Sequence, residues 1–171
     1  VKGAVAVLLI VMAAALPQIA HMPGGSAAGA VWLPMYAPAL LAGCLLGWQW
    51  GLGVGMLSPV ASFAFTSLFL GSAMPAAARL PYMIVELGVF GLISGLFAKR
   101  IERNALWAFP AVICAQICGR FIYFVAAVIF GQSANEVWSA IYSGLAGLYV
   151  QAAIVPVIVL LLSMAIKHDR D

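Results

Sequence analysis

The sequence predicts an all-α integral membrane protein, a compact bundle of six transmembrane helices with both termini cytoplasmic, in one transmembrane domain covering residues 1–171. Its composition is the first reason: 65% of the residues are hydrophobic and 8% are charged, whereas soluble domains carry about 25% charged residues. No soluble core could hide that much apolar surface. Each crossing needs about 20 residues, so a chain of 171 residues has room for about six crossings and for no separate soluble domain.

The second reason is the succession of apolar segments. They run at about 3–20, 33–46, 51–70, 81–98, 105–130 and 138–166. Lys2 and the apolar stretch after it resemble a secretory signal, but further apolar segments follow at once and favour a retained membrane helix. The second segment is short, and Pro34 and Pro38 indicate an irregular entry that neighbouring helices must shield. The polar run 99–104 is the sharpest boundary and belongs in water at one membrane face.

The third reason is the distribution of basic residues, which tend to stay on the cytoplasmic side of a membrane. The basic residues near segment ends are Lys2, the cluster Lys99, Arg100 and Arg103, and the pair Lys167 and Arg170. Six crossings put all of them on one side, together with both termini. The opposite, outer face then receives the loops around His21, Arg79 and Glu136.

Composition also argues against several classes of function. A net charge of +3 from eight basic and five acidic residues gives no dense basic face for nucleic acid. Cys44, Cys114 and Cys118 lie in apolar runs and are interpreted as small apolar fillers, so we expect no metal site. No nucleophile has a base at suitable spacing. We therefore expect no catalytic residues, no cofactor and no enzymatic activity.

Small residues recur every four positions at Gly43, Gly47, Gly51 and Gly55. Small residues at this spacing let helix backbones approach closely. Close packing matters in a membrane because lipid supplies no hydrophobic drive for helix association. Two interpretations are open. The glycines pack this bundle internally, or they form the docking surface for another membrane protein.

Two charges fall well inside apolar segments, at Glu86 and Arg120. A charge at the bilayer centre costs about 2.5 to 3.5 kcal/mol on insertion scales, so each needs a partner, a cavity or a ligand. Counted from the outer face, both belong to the outer half of the membrane. Two interpretations are open. The two charges form a buried ion pair that only locks two helices, or they also line a polar cavity. Arg79 adds a cation at the mouth of that cavity, or anchors the chain at the interface.

Aromatic residues with polar tips surround these charges. Such side chains suit a pocket for a flat, ring-containing polar molecule, because they supply ring faces for stacking and groups for hydrogen bonds. The alternative is a belt of interfacial Trp and Tyr residues. With Glu86, Arg120 and Arg79, the candidate substrate-binding residues are Tyr36, Tyr123, Asn135, Trp138 and Tyr142.

Two stretches punctuated by Pro and Gly carry a resemblance to a known family: LPMYAPALLAG at 33–43 and MPAAARLPYMIVELGVFGLISGL at 74–96. With six segments and a long first outer loop, the chain resembles the substrate-binding S component of energy-coupling factor (ECF) vitamin transporters. One departure is that the first segment lacks the alanines four apart that often dock the partner protein in that family.

The resemblance implies a receptor in the plasma membrane of a prokaryote that captures a vitamin or vitamin precursor from outside. The resemblance also implies a transmembrane T component and two cytoplasmic ATPases as partners. This chain has no Walker-type sequence, so ATP hydrolysis would have to come from those partners. In that family the ligand lies in the outer half, which contains Glu86, Arg120 and Arg79. The alternatives are a structural or assembly subunit of a membrane complex, and a small stand-alone secondary carrier.

Overall fold

The structure, a computed structural model, describes residues 2–16, 35–69 and 75–168. The helices are α1 Lys2–Leu16, α2 Tyr36–Leu46, α3 Trp48–Phe69, α4 Leu80–Leu96, α5 Ala98–Arg103, α6 Ala108–Ile129, α7 Ala134–Ser143 and α8 Leu145–His168. Single 3-10 turns at Ala77–Arg79 and Ala105–Trp107 precede α4 and α6. The predicted turn around His21, the entry at Pro34 and the tail residue Arg170 lie outside the described residues.

The prediction of an all-helical fold is confirmed: the described ranges contain helices and no strand. Four stretches among them are long and apolar enough to cross a membrane: Trp48–Phe69, Ala77–Leu96, Ala105–Ile129 and Leu145–Met164. The helices α1 and α2 are apolar but shorter. The helices whose length and composition are compatible with crossing a membrane are therefore α3, α4, α6 and α8.

The predicted sixth segment, 138–166, is divided into two helices in the structure. The amphipathic helix α7 begins after Ser133, whose hydroxyl accepts a hydrogen bond from the Glu136 N–H at 3.3 Å. It ends at Gly144, and α8 begins at the next residue. The mean hydropathy along the chain does not separate α7 from α8, because the apolar residues on one side of α7 continue the hydrophobic segment. The predicted start at Trp138 was therefore wrong, and the long helix begins at Leu145.

Helix α4 lies at the centre of the bundle, packed against α2, α3 and α6. Backbones come very close where glycines face each other: a Cβ added at Gly51 would overlap the Gly91 carbonyl, and one at Gly55 would overlap the Leu87 carbonyl. Similarly, a Cβ at Gly43 would overlap the Ser94 hydroxyl. These glycines therefore pack helices of the same chain against each other, in agreement with the internal-packing interpretation.

Gly47 has a different role, as the single residue between α2 and α3. Its φ of 98° and ψ of 173° lie in a region that is essentially restricted to glycine. The Gly47 N–H donates to the Gly43 carbonyl at 3.1 Å, and the Gly47 carbonyl accepts from the Gly51 N–H at 2.9 Å. One residue thus closes α2 and opens α3, and the chain turns back on itself so that Gly43 and Gly51 meet.

The remaining helices pack around this centre. Ala6, Leu9 and Ala13 on α1 are buried in the main core cluster, at the three- and four-residue spacing of one helical face. Helix α6 joins α8 through the Gln116 side-chain amide, which donates to the Leu148 carbonyl at 2.9 Å. Buried faces of α1, α6 and α8 thus complete the core around α4.

The bundle has two distinct ends. At the Lys99 end, α4 leads into the basic helix α5, and the Arg100 guanidinium lies over the rings of Phe97 and Trp107, 5.6 and 5.0 Å from their centres. At the Arg79 end, Arg79 lies beside Gln132 and Glu136 around one cavity. The 17 residues of α4 separate the two ends by about 26 Å.

Candidate functional site

Three side chains from three helices meet in the core and form what we call the Glu86 cluster: Tyr36 of α2, Glu86 of α4 and Arg120 of α6. The Tyr36 hydroxyl donates to Glu86 Oε2 at 2.6 Å. Arg120 Nη1 lies 3.0 Å from Glu86 Oε1 in an ion pair. Glu86 is fully buried and the Arg120 side chain is 11% exposed. A buried carboxylate is tolerated here because a cation and a hydroxyl both face it.

The Arg120 guanidinium also lies between two aromatic rings. Its carbon is 5.2 Å from the centre of the Tyr36 ring and 5.6 Å from that of the Tyr123 ring. Both distances fall within the range of attractive cation–π contacts. Nε and Nη2 of Arg120 are buried and have no hydrogen-bond partner within the described residues. Arg120 is thus held by one ion pair and two rings, with donor capacity left unused.

Helical spacing explains why these side chains converge. On α4, Tyr82, Glu86 and Phe90 are four residues apart and all buried, so they share one face. On α6, Arg120 and Tyr123 are three residues apart and also share a face. The two faces meet because Gly119 lies directly against the Phe90 ring, where a Cβ would overlap that ring.

The Glu86 cluster is connected to a cavity at the Arg79 end. The rings of Tyr123 and Tyr82 meet edge to face, with centres 5.4 Å apart. Both rings line a cavity of about 160 Å³, which we call the Arg79 cavity. Its lining residues are Arg79, Tyr82, Tyr123, Gln132, Glu136, Val137 and Ala140. The cavity therefore combines two aromatic rings, an amide and one charge of each sign.

The structure brings some of the predicted binding residues together. Glu86, Arg120 and Tyr36 form the cluster, Tyr123 links the cluster to the cavity, and Arg79 lines the cavity. From the sequence, Glu86 and Arg120 were candidates for the polar lining itself. In the structure, Tyr123 stands between them and the Arg79 cavity, since neither charge is among its lining residues.

Other predicted residues lie elsewhere. Trp138 and Tyr142 on α7 are 64% and 72% exposed, and Asn135 is exposed at the start of the same helix. They face the surroundings of the bundle, while Val137 and Ala140 on the opposite side of α7 face the cavity. The predicted partner-docking glycines Gly43, Gly51 and Gly55 face α4 instead, and Gly47 forms the turn between α2 and α3.

Several lining residues were missed by sequence reasoning. Tyr82 lies one helical turn before Glu86, so its position on the same face of α4 was a usable signal. Gln132 and Glu136 were assigned to a loop. Gln132 does lie between α6 and α7, whereas Glu136 lies in the first turn of α7, and both line the cavity. The described part of the chain groups no three His, Cys, Asp or Glu residues in a way that could hold a metal ion.

No family model, curated protein or solved structure matches this chain. The candidate site is therefore defined by its own residues. Its two components are the Glu86 cluster, which joins α2, α4 and α6, and the Arg79 cavity. Tyr123 connects them, because its ring contacts Arg120 of the cluster and also lines the cavity.

Proposed function

We propose that this protein is the membrane-embedded, high-affinity substrate-binding subunit of an ECF-type importer, an S component that takes up a vitamin or vitamin precursor, a small heteroaromatic compound. The observation that carries the proposal is the Arg79 cavity, which is walled by the rings of Tyr82 and Tyr123 and bordered by a cation and an anion. Concave sites with aromatic walls and a few polar groups are typical of small-molecule binding.

The proposal includes a membrane topology of six crossings with both termini in the cytoplasm. Helices α3, α4, α6 and α8 are long enough for four of them, and the shorter α1 and α2 provide the other two. The 11 residues of α2 cover about 16 Å, roughly half of the hydrocarbon layer, so the second crossing also requires residues before Tyr36, which lie outside the described ranges. The basic helix α5 then faces the cytoplasm, and the Arg79 cavity opens to the outside of a prokaryotic plasma membrane.

The Glu86 cluster serves the receptor by fixing the wall of the cavity. Arg120 lies over the Tyr123 ring at 5.6 Å, and the opposing contact of Tyr123 is with Tyr82 at 5.4 Å. Because Glu86 and Tyr36 hold Arg120 in place, the two tyrosines keep one orientation whether or not a ligand is bound. Such preorganisation raises affinity by reducing the ordering cost of binding.

The proposed partners are a transmembrane T component and two cytoplasmic ATPase subunits. They supply ATP hydrolysis, because the chain carries no Walker-type phosphate-binding sequence. The glycines Gly43, Gly51 and Gly55 pack against α4, so the docking surface for the T component involves other residues. The exposed apolar side chains of α1, among them Val7, Leu8 and Val11, provide one such surface.

A structural or assembly subunit is the second candidate, and one observation favours it. Both oxygens of Glu86 already face a partner within the chain, Tyr36 on one side and Arg120 on the other. In that function, the cluster only locks α2, α4 and α6 together. A stand-alone carrier is a third candidate, for which uptake into liposomes without any ATPase would be decisive.

The experiment that tests the receptor proposal is native mass spectrometry of the detergent-purified protein, with identification of small molecules released on denaturation. We expect a stoichiometric vitamin-like compound. We also expect a ligand at 100 times its Kd to stabilise the fold by about 2.7 kcal/mol.

The matched variants are Tyr123→Leu, which removes a cavity wall, and Tyr149→Leu, at a tyrosine of α8 that is 72% exposed. The first should lose the ligand and the second should keep it. An empty wild-type protein that gains no thermal stability from any vitamin would favour the assembly subunit.

A further inference from the structure

We infer, on the basis of the proposed function, that the ligand of the Arg79 cavity is a single-ring amphoteric compound, with an acidic group that pairs with Arg79 and an amino group that pairs with Glu136. The inference names the substrate class, which the sequence left open among pyrimidine, pyridine, flavin and pantothenate-like molecules. It is carried by the size of the cavity and by the arrangement of charges around it.

Cavity size limits the number of rings. The Arg79 cavity has a volume of about 160 Å³, whereas pockets for drug-sized ligands have volumes of about 300 to 1,000 Å³. An engineered cavity of about 150 Å³ in another protein holds one benzene molecule. A single six-membered ring with small substituents therefore matches the cavity, whereas a fused three-ring flavin would extend well beyond it.

The walls favour an aromatic ring. Tyr82 and Tyr123 meet edge to face and both line the cavity, although only 2% and 9% of the two residues is exposed. Val137 of α7 packs with these two tyrosines in one buried cluster, and Ala140 adds apolar surface to the lining. A flat ring can contact this apolar surface, while the side-chain amide of Gln132 offers two donors and an acceptor oxygen.

The charges determine the substituents. Arg79 and Glu136 line the same cavity, yet among the described residues the ion pair that forms is that of Glu86 with Arg120. Arg79 and Glu136 are thus separate charges of opposite sign at one site. Because both side chains are exposed, water solvates each of them in the empty cavity, and a ligand with a single charge gains an ion pair with one of them only. A ligand with an acidic and a basic group satisfies both.

The test is titration calorimetry on the full chain in detergent, with four probes. The aminonicotinate is the 4-amino isomer, which carries both groups on one ring; nicotinate carries the acid alone, and riboflavin has three fused rings. The aminopyridine is also the 4-amino isomer, in which conjugation with the protonated ring nitrogen gives the amino group a share of a positive charge at neutral pH. We expect aminonicotinate to bind at least about tenfold more tightly than either singly substituted ring, which corresponds to about 1.4 kcal/mol. Riboflavin should not bind.

Variants assign each group to its partner. Arg79→Gln should reduce the affinity for aminonicotinate to that for aminopyridine, and Glu136→Gln should reduce it to that for nicotinate. Both residues are exposed, so both variants should fold. The matched control is Arg103→Gln, which removes an exposed cation at the Lys99 end and should leave all affinities unchanged.

The outcomes separate this inference from the receptor proposal. If nicotinate or aminopyridine binds as tightly as aminonicotinate, or if the co-purifying ligand has several rings or a single charged group, the inference is overturned and the receptor proposal stands. If none of the probes binds, no ligand co-purifies and no vitamin raises thermal stability, both are overturned.

Discussion

At the scale of single residues, the Glu86 cluster shows how a charge inside an apolar bundle is accommodated. The carboxylate faces a guanidinium at 3.0 Å and a tyrosine hydroxyl at 2.6 Å. Removing one member of such a pair leaves an uncompensated buried charge, which costs about 3 to 5 kcal/mol, whereas removing both costs much less.

A double-mutant cycle tests this account. Glu86→Gln and Arg120→Gln should each lower the free energy of unfolding by about 3 to 5 kcal/mol. The double variant should lose clearly less stability than the sum of the two single losses, because it removes both charges and leaves none unpaired. Reversible unfolding in mixed micelles measures all three values. Additive losses would show that the two side chains do not act as a pair.

Sequence alone indicated part of this residue-level arrangement. Charges within apolar segments are expensive, so Glu86 and Arg120 were recognisable as residues that need partners, and the structure pairs them. The role of Tyr36 as the second partner of Glu86 depends on where α2 lies, which hydropathy does not specify. Tyr82 was missed as a lining residue because a tyrosine in an apolar segment costs too little to attract notice.

At the scale of helices, glycine positions determine how closely α3 and α4 approach. A Cβ at Gly51 would overlap the backbone of Gly91, while a Cβ at Gly53 on the same helix meets nothing within 4 Å. The two glycines therefore form a matched pair for a test, since both lie within α3 and differ in what faces them.

We expect Gly51→Ala to destabilise the protein by about 1 to 3 kcal/mol or more, the usual cost of overpacking, because a backbone cannot move aside as a side chain can. Gly53→Ala should be neutral or slightly stabilising, since alanine has the higher helix propensity. Thermal unfolding of both variants in detergent measures the difference. Equal stabilities would contradict the close approach of the two backbones.

Helix boundaries were partly predictable. Helix α4 was predicted at 81–98 and runs from Leu80 to Leu96, because a polar run and a proline mark its ends. Helix α7 was not separated from α8, because its apolar side extends the hydrophobic segment. Trp138 and Tyr142, two of the predicted binding residues, lie on the exposed side of α7.

At the scale of the whole molecule, the two ends of the bundle carry different chemistry. Three basic residues of α5 lie at the Lys99 end, and the Arg79 cavity lies at the other. If the positive residues are cytoplasmic, the cavity opens outward. The proposed six crossings require the C-terminus to share the side of α5.

Cysteine labelling of intact cells with a membrane-impermeant maleimide tests this topology. In a background without the three native cysteines, Asn135→Cys should be labelled from outside, whereas Glu102→Cys and Asp171→Cys should be labelled only after lysis. Asn135 and Glu102 are both exposed, so accessibility within the fold does not limit either one. Labelling of Asn135→Cys and Glu102→Cys from the same side would contradict the assignment of the two ends.

The single-residue connection at Gly47 has a consequence for how this chain can change in length. Gly47 alone joins α2 to α3 in a non-helical conformation, so inserting or deleting one residue between Leu46 and Trp48 would change the direction and the rotation with which α3 leaves the turn. Such a shift would move Gly51 and Gly55 off the face that touches α4, and larger side chains would meet the α4 backbone. An insertion or deletion at this turn should therefore destabilise the packing of α3 against α4.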